Sequence, residues 1–153
     1  MREILFKAKR LDDGEWFEGV PVDMTPMSCF DKLPKEMILV RAGFADWGMP
    51  RNLEGCKVDP ETVCQYTGLT DKNGVKIFEG DIVHYQYEPG EGFWNVDQNC
   101  IVSFRGAGFH IEGIMGTNKY ACMSGWLSQL PVGGGEVFEV IGNIHDKEAD
   151  HED

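Results

Sequence analysis

The strongest constraint on the fold lies in one stretch, QYTGLTDKNGVKIFEGDIVHYQY, residues 65–87. Apolar residues alternate with polar ones in runs of four to seven, and a glycine-bearing turn interrupts each run. A period of two suits a pleated strand with one buried face and leaves a helix without a coherent apolar side. Asp71-Lys72-Asn73-Gly74 has the composition of a hairpin turn: Asp71 can accept backbone N–H groups, and Gly74 tolerates a left-handed conformation. Antiparallel pairing of Gln65–Leu69 with Val75–Phe78, followed by a strand over Ile82–Tyr87, is the expectation.

The same punctuation recurs along the chain. Residues 2–10 and 15–20 read as strands around Asp12-Asp13-Gly14, and Met37–Arg41 reads as a short buried strand. Residues 23–36 read as a loop with one helical turn near Met27–Leu33, and 43–57 as a Gly- and Pro-rich loop. Asp59-Pro60-Glu61 has the order of a helix start, with a capping carboxylate, proline at the first helical position and an acid in the first turn. Further strands are expected over Asn99–Phe104, Gly108–Ile114 and Glu136–Ile144, with Tyr120–Leu130 either a strand or a 3₁₀ turn. Short strands separated by glycine turns point to a mainly β, α+β protein. The expected organisation is an N-terminal β portion with a loop or short helix (1–78), a small β-barrel (79–145) and a disordered acidic tail (146–153).

Charge bears on the partners. The net charge is −12, with −3 on residues 1–80 and −9 on residues 81–153. Affinity for duplex nucleic acid comes largely from Lys and Arg on phosphate, and the C-terminal half has three such residues. The basic concentration at Arg2, Lys7, Lys9 and Arg10 is the candidate phosphate contact; the competing reading is an edge strand guarded by lysines. Five cysteines, an odd number without C-x-x-C spacing, read as free thiols in a reducing cytoplasm. The opening MREILFKAK is too short an apolar stretch for a signal peptide, and no run approaches a membrane span.

Candidate chemistry is sparse. Gly106-Ala107-Gly108 lacks the third glycine of a dinucleotide fingerprint, and Gly133-Gly134-Gly135 lacks the Lys-Ser/Thr of a phosphate loop; both read as turns. His84, His110, His145 and His151 show no metal spacing, so no metal, cofactor or catalytic set is expected. A nucleophile formed by Cys100 or Cys122 with a histidine is one enzymatic alternative. Tyr85, Tyr87, Phe93, Trp94 and Trp126 are the candidate partner-binding residues, either lining a groove for an extended peptide or packing into core and rim.

Three stretches carry a resemblance: MREILFKAK at 1–9, DPETVCQYTGLTDKNGVKIFEGDIV at 59–83 and VIGNIH at 140–145. In that order and spacing the chain resembles the YopX family of bacteriophage and prophage proteins. The resemblance implies a phage origin and a host-cytoplasm setting, and brings no catalytic or ligand residues with it. Glu79-Gly80-Asp81-Ile82-Val83 also looks like the turn that leads into the wall of SH3-like barrels, which makes the 79–145 barrel SH3-like by analogy of fold. The leading functional expectation is a non-enzymatic, homo-oligomeric binding protein that contacts a host or phage protein. Nucleic-acid association or charge mimicry, and a cysteine-dependent enzyme, are the alternatives.

Overall fold

In the computed structural model, strand β1 (Phe6–Lys9) turns through Asp12-Asp13-Gly14 into β2 (Trp16–Asp23). Gly14 has φ +74°, which the tight turn requires and which glycine adopts without strain. The structure describes residues 3–24, 37–42, 53–87, 96–114, 124–126 and 137–146. The helical turn expected near 27–33 and the acidic run at 147–153 lie outside them. The chain divides into two compact units, Met1–Tyr66 and Thr67–Asp153. The division falls upstream of residue 78, because the 67–78 hairpin sends Ile77 into the core of the second unit.

In the first unit β2 pairs with β3 (Met37–Ala42), and β3 with β4 (Leu53–Val58), all antiparallel. β1 also pairs with the start of β5 (Cys64–Thr70), matching Phe6 to Gln65 and Lys7 to Cys64. β1 is therefore an interior strand, so the reading of a lysine-guarded edge is corrected. The sequence 53–57, expected as loop, is also strand. Its ladder to Met37–Ala42 supplies the order that its own weak pattern does not. Past β1 the chain bends back onto β4: Arg10 bridges Val58, Leu11 N–H donates to Lys57 C=O at 3.1 Å, and Asp59 N–H donates to Lys9 C=O at 2.9 Å.

Between β4 and β5 a 3₁₀ turn spans Pro60–Thr62, with the Asp59 side chain accepting from Glu61 N–H. Thr62 Oγ1 accepts from Lys9 N–H at 2.9 Å and fixes the turn to β1. Alternation puts Ala8, Leu39 and Val58 into one core, with Phe6, Phe17, Met37, Cys56 and Val63 against it.

The second unit opens with the hairpin between the end of β5 and β6 (Lys76–Phe78). β7 (Asp81–Tyr87), β8 (Val96–Arg105), β9 (Gly108–Gly113), β10 (Ser124–Trp126) and β11 (Phe138–Asn143) form one antiparallel sheet in the linear order β10-β9-β8-β7-β11. Its core holds Ile77, Val83, Tyr85, Cys100, Val102, Phe109, Ile111 and Phe138. The architecture is mainly β, built of antiparallel sheets, and the 3₁₀ turn joins β4 to β5 of the same sheet. Among the described residues no helix is long and apolar enough to cross a membrane.

Candidate functional site

The two later signature stretches meet in the second unit through side chains that bind backbone. Asp71 is 5% exposed. Its Oδ1 accepts from Asn73 N–H and Val75 N–H, both at 2.8 Å, which closes its own turn. Its Oδ2 reaches Val140 N–H on β11 at 3.0 Å, while Lys72 N–H donates to Phe138 C=O at 3.0 Å. The turn thus occupies the edge of β11 in place of another strand. Lys72 Nζ adds an ion pair to Glu139 at 2.6 Å. Desolvation works against the Asp71 carboxylate, but the three N–H donors and Lys72 outweigh it and hold its pKa below the ordinary value.

Asp81, fully buried, forms a second node. Its Oδ2 accepts from Phe78 N–H at 2.7 Å and its Oδ1 from Asn143 Nδ2 at 2.9 Å. Asn143 Oδ1 in turn accepts from His145 N–H at 2.9 Å. Gly80, at φ +75°, makes the turn between β6 and β7; its N–H donates to Val102 C=O and its C=O accepts from Ile144 N–H. EGDIV and VIGNIH are thus two sides of one buried contact. Asp71, Asp81 and Asn143 each bond backbone groups, and Asp81 and Asn143 also bond each other, so the geometry is that of a fold-defining clamp.

The remaining candidates are dispersed. Arg10 donates from Nη2 to Asp12 at 2.6 Å and from Nη1 to Asp13 at 3.0 Å, so its charge is committed to its own turn. The hydrogen bond that Arg10 donates to Asp12 raises the Arg10 pKa, and Arg10 holds Asp12 below the ordinary carboxylate value against desolvation. Lys7 and Lys9 place their ammonium groups 4.7 and 5.2 Å from the centre of the Trp16 ring. Arg2 lies outside the described residues.

Tyr85 is 1% exposed and packs on Phe138 with ring centroids 5.0 Å apart. It is a core residue with no face for a partner, because the inward side of β7 is the Val83–Tyr85 side. Phe93 and Trp94 lie outside the described residues; Tyr87 and Trp126 end β7 and β10, and their side chains lie outside the described part.

Cys100 is buried opposite Val83, whereas His84 is opposite Asn99 and His110 opposite Ser103. Neighbouring positions on a strand point to opposite faces, so these histidines and the Cys100 thiol lie on different sides of the sheet. A Cys100–histidine pair is corrected on that ground; Cys122 lies outside the described residues. His84 Nδ1 is instead 3.0 Å from Asn99 Oδ1. Among the described residues no group of three His, Cys, Asp or Glu is placed to hold a metal ion. A depression of about 440 Å³ in the first unit is bordered by Arg10, Leu11, Asp12, Gly55, Cys56 and Lys57. Burial pushes the Cys56 thiol pKa up, away from the reactive thiolate.

The family profile described as "YopX protein" matches residues 44–148. The chain belongs to the YopX family. The YopX match contains the whole clamp, Asp71, Gly80, Asp81, Val140 and Asn143, whereas β1 and β2 lie before it. No curated protein matches the chain. Among solved structures it is similar to "Crystal structure of protein EF1440 from Enterococcus faecalis", with 22% identity, 95% of each chain covered and a TM-score of 0.48.

One surface was not legible in the sequence. Register puts Lys7 and Lys9 of β1, Trp16, Glu18, Val20 and Val22 of β2, Ile38 and Val40 of β3, and Leu53, Gly55 and Lys57 of β4 on the face opposite the first unit's core. On it Val20 is 48%, Val22 40% and Leu53 74% exposed. Both faces of β2 and β3 carry aliphatic residues, so periodicity alone gave no sign of which was outward.

Proposed function

We propose that this YopX protein is a phage- or prophage-derived, non-enzymatic binding protein of the host cytoplasm that contacts a host or phage protein through the outer face of its N-terminal sheet. The observation that carries this reading is the exposed aliphatic surface of Val20, Val22 and Leu53, flanked by Ile38 and Val40. Contiguous apolar surface of this kind on a highly charged chain is costly in water and typical of contact surfaces. The proposal extends to homo-oligomers joined by strand edges, and to an SH3-like barrel over residues 79–145. Gly80 at positive φ leading into the buried positions of β7 supports the barrel reading.

Affinity capture from lysogenic or infected cells tests the function. Wild-type protein should retain a specific partner that the double variant Val20→Asp, Val22→Asp does not. Identical recoveries from both proteins, each shown to be folded, would remove the surface from consideration. Nucleic-acid association through Lys7 and Lys9 remains the second reading, favoured by their stacking on Trp16. It requires a mobility shift that weakens steeply with salt.

A further inference from the structure

We infer that β4 docks an extended protein segment as an added strand, with an aromatic residue of that segment lying over Gly55. This rests on the protein-binding reading above and adds the mode of docking. Leu11 N–H donates to Lys57 C=O and Asp59 N–H to Lys9 C=O, so Lys57 and Asp59 direct these groups away from β3. Direction alternates along a strand, and the backbone groups of Gly55 and Leu53 therefore point the same way. Pro21 requires the same arrangement. It has no N–H and lies opposite Leu39, so Leu39 bonds across to Cys56, and Val40 bonds Val20 rather than Gly55. Gly55 is exposed, and its N–H and C=O have no backbone partner among the described residues.

The open edge is an interrupted ladder. Arg10 lies opposite Val58 and Leu11 bonds Lys57, so the same register carried further would set Asp13 opposite Gly55. Instead Gly14 N–H donates to Arg10 C=O and the chain turns off into β2, leaving the depression bordered by Leu11, Gly55 and Cys56. A segment entering antiparallel to β4 takes up that ladder, exchanging hydrogen bonds with Gly55 and then with Leu53. Its residue opposite Gly55 points to the outer face of the sheet. The place of the missing Gly55 side chain is bordered by Val40 Cγ2 at 3.6 Å and Ile38 Cδ1 at 3.9 Å. A flat ring laid across the glycine covers both, and an aliphatic side chain two residues on meets Leu53. Through Val40, which lies opposite Val20, the docked segment joins the apolar surface of β2. A second copy does not fit this edge. Pairing two β4 strands along their length about a two-fold axis sets the Leu11 that covers each Lys57 against the other strand, whereas a separate segment ends at Leu11.

The test uses the full-length protein and a labelled Thr-Phe-Thr-Val-Thr peptide, capped at both ends, read by fluorescence anisotropy and by hydrogen exchange at the Gly55 amide. In the free protein that amide should exchange as fast as open backbone, and saturating peptide should slow it about tenfold or more. Affinity should fall about tenfold or more when Ala replaces Phe in the peptide, when the peptide backbone is N-methylated, and in Gly55→Pro. Gly55→Pro should melt close to wild type, because the lost N–H points away from β3. The N-methylated peptide reads the same bonds without altering the protein. No binding at millimolar peptide, binding indifferent to N-methylation, or a Gly55 amide already slow in the free protein overturns the inference. Protection that rises with protein concentration alone overturns it in favour of a second copy. Cellular capture that needs Val20 and Val22 but is unchanged in Gly55→Pro leaves protein binding standing and removes strand addition.

Discussion

Asp71→Ala is the most informative single change in the second unit. It removes the acceptor of three backbone N–H groups while leaving the hydrophobic core cluster untouched. Asn73 and Val75 are exposed, so water can replace the carboxylate there, and each loss should cost roughly 0.5 kcal/mol. Val140 N–H lies on the half-buried β11, and an acceptor lost there costs about 1–3 kcal/mol. The sum is about 3 kcal/mol, equivalent to a fall in melting temperature of about 10 °C for a chain of this size. Urea denaturation with hydrogen exchange at the Val140 amide measures both parts. The difference should also depend on pH. Folding depresses the Asp71 pKa below the ordinary carboxylate value, so its stabilisation is complete above that ordinary value and drains away as pH falls through the lower folded value. Wild type and Asp71→Ala should therefore converge in stability in strong acid. A loss under about 0.5 kcal/mol at neutral pH, with unchanged Val140 exchange, would refute the view that this carboxylate closes the strand edge.

Two further outcomes follow from the same network. Gly74→Val and Gly80→Val both place a side chain at positive φ, +81° and +75°, but only at Gly80 would a Cβ also press on Ile144 Cγ1, at 3.2 Å. Gly74→Val should cost about 1–2 kcal/mol from backbone strain and Gly80→Val measurably more, read by chemical denaturation; equal losses would discount the contact with Ile144. Asn143→Leu deprives buried Asp81 of a donor and should cost about 3 kcal/mol at neutral pH, with Asp81→Asn, Asn143→Leu showing less than the sum of the single losses. Additivity in that cycle would show that the two side chains act independently.

Much of the β architecture was legible because alternation and turn chemistry are local. Asp71-Lys72-Asn73-Gly74, Gly80 and Asp59-Pro60 each carry their conformation in a few adjacent residues, and the structure has turns at all three. What could not be read depends on register between distant segments. Leu53–Lys57 looked like loop because Gly55 and the charges at Glu54 and Lys57 obscure its alternation; pairing with β3 makes it a strand. Tyr85 looked available because a period of two does not say which face is inside, and a shift of one residue exchanges the faces. Asp81 and Asn143 are 62 positions apart, so their contact has no local signal. The outer face of the first unit was hidden for a related reason: β1, β2, β3 and β4 contribute to it separately, and only their register assembles it.

The clamp has a practical consequence for experiments on the wider family. Its most recognisable residues, Asp71, Gly80, Asp81 and Asn143, hold the chain in shape. Alanine substitution at these clamp positions will therefore deplete folded protein and imitate a loss of activity. Two relatives that share the clamp need share no partner, because Asp71, Gly80, Asp81 and Asn143 are buried. Comparisons meant to reveal what such proteins bind are better made on the outward-facing positions of correctly folded chains.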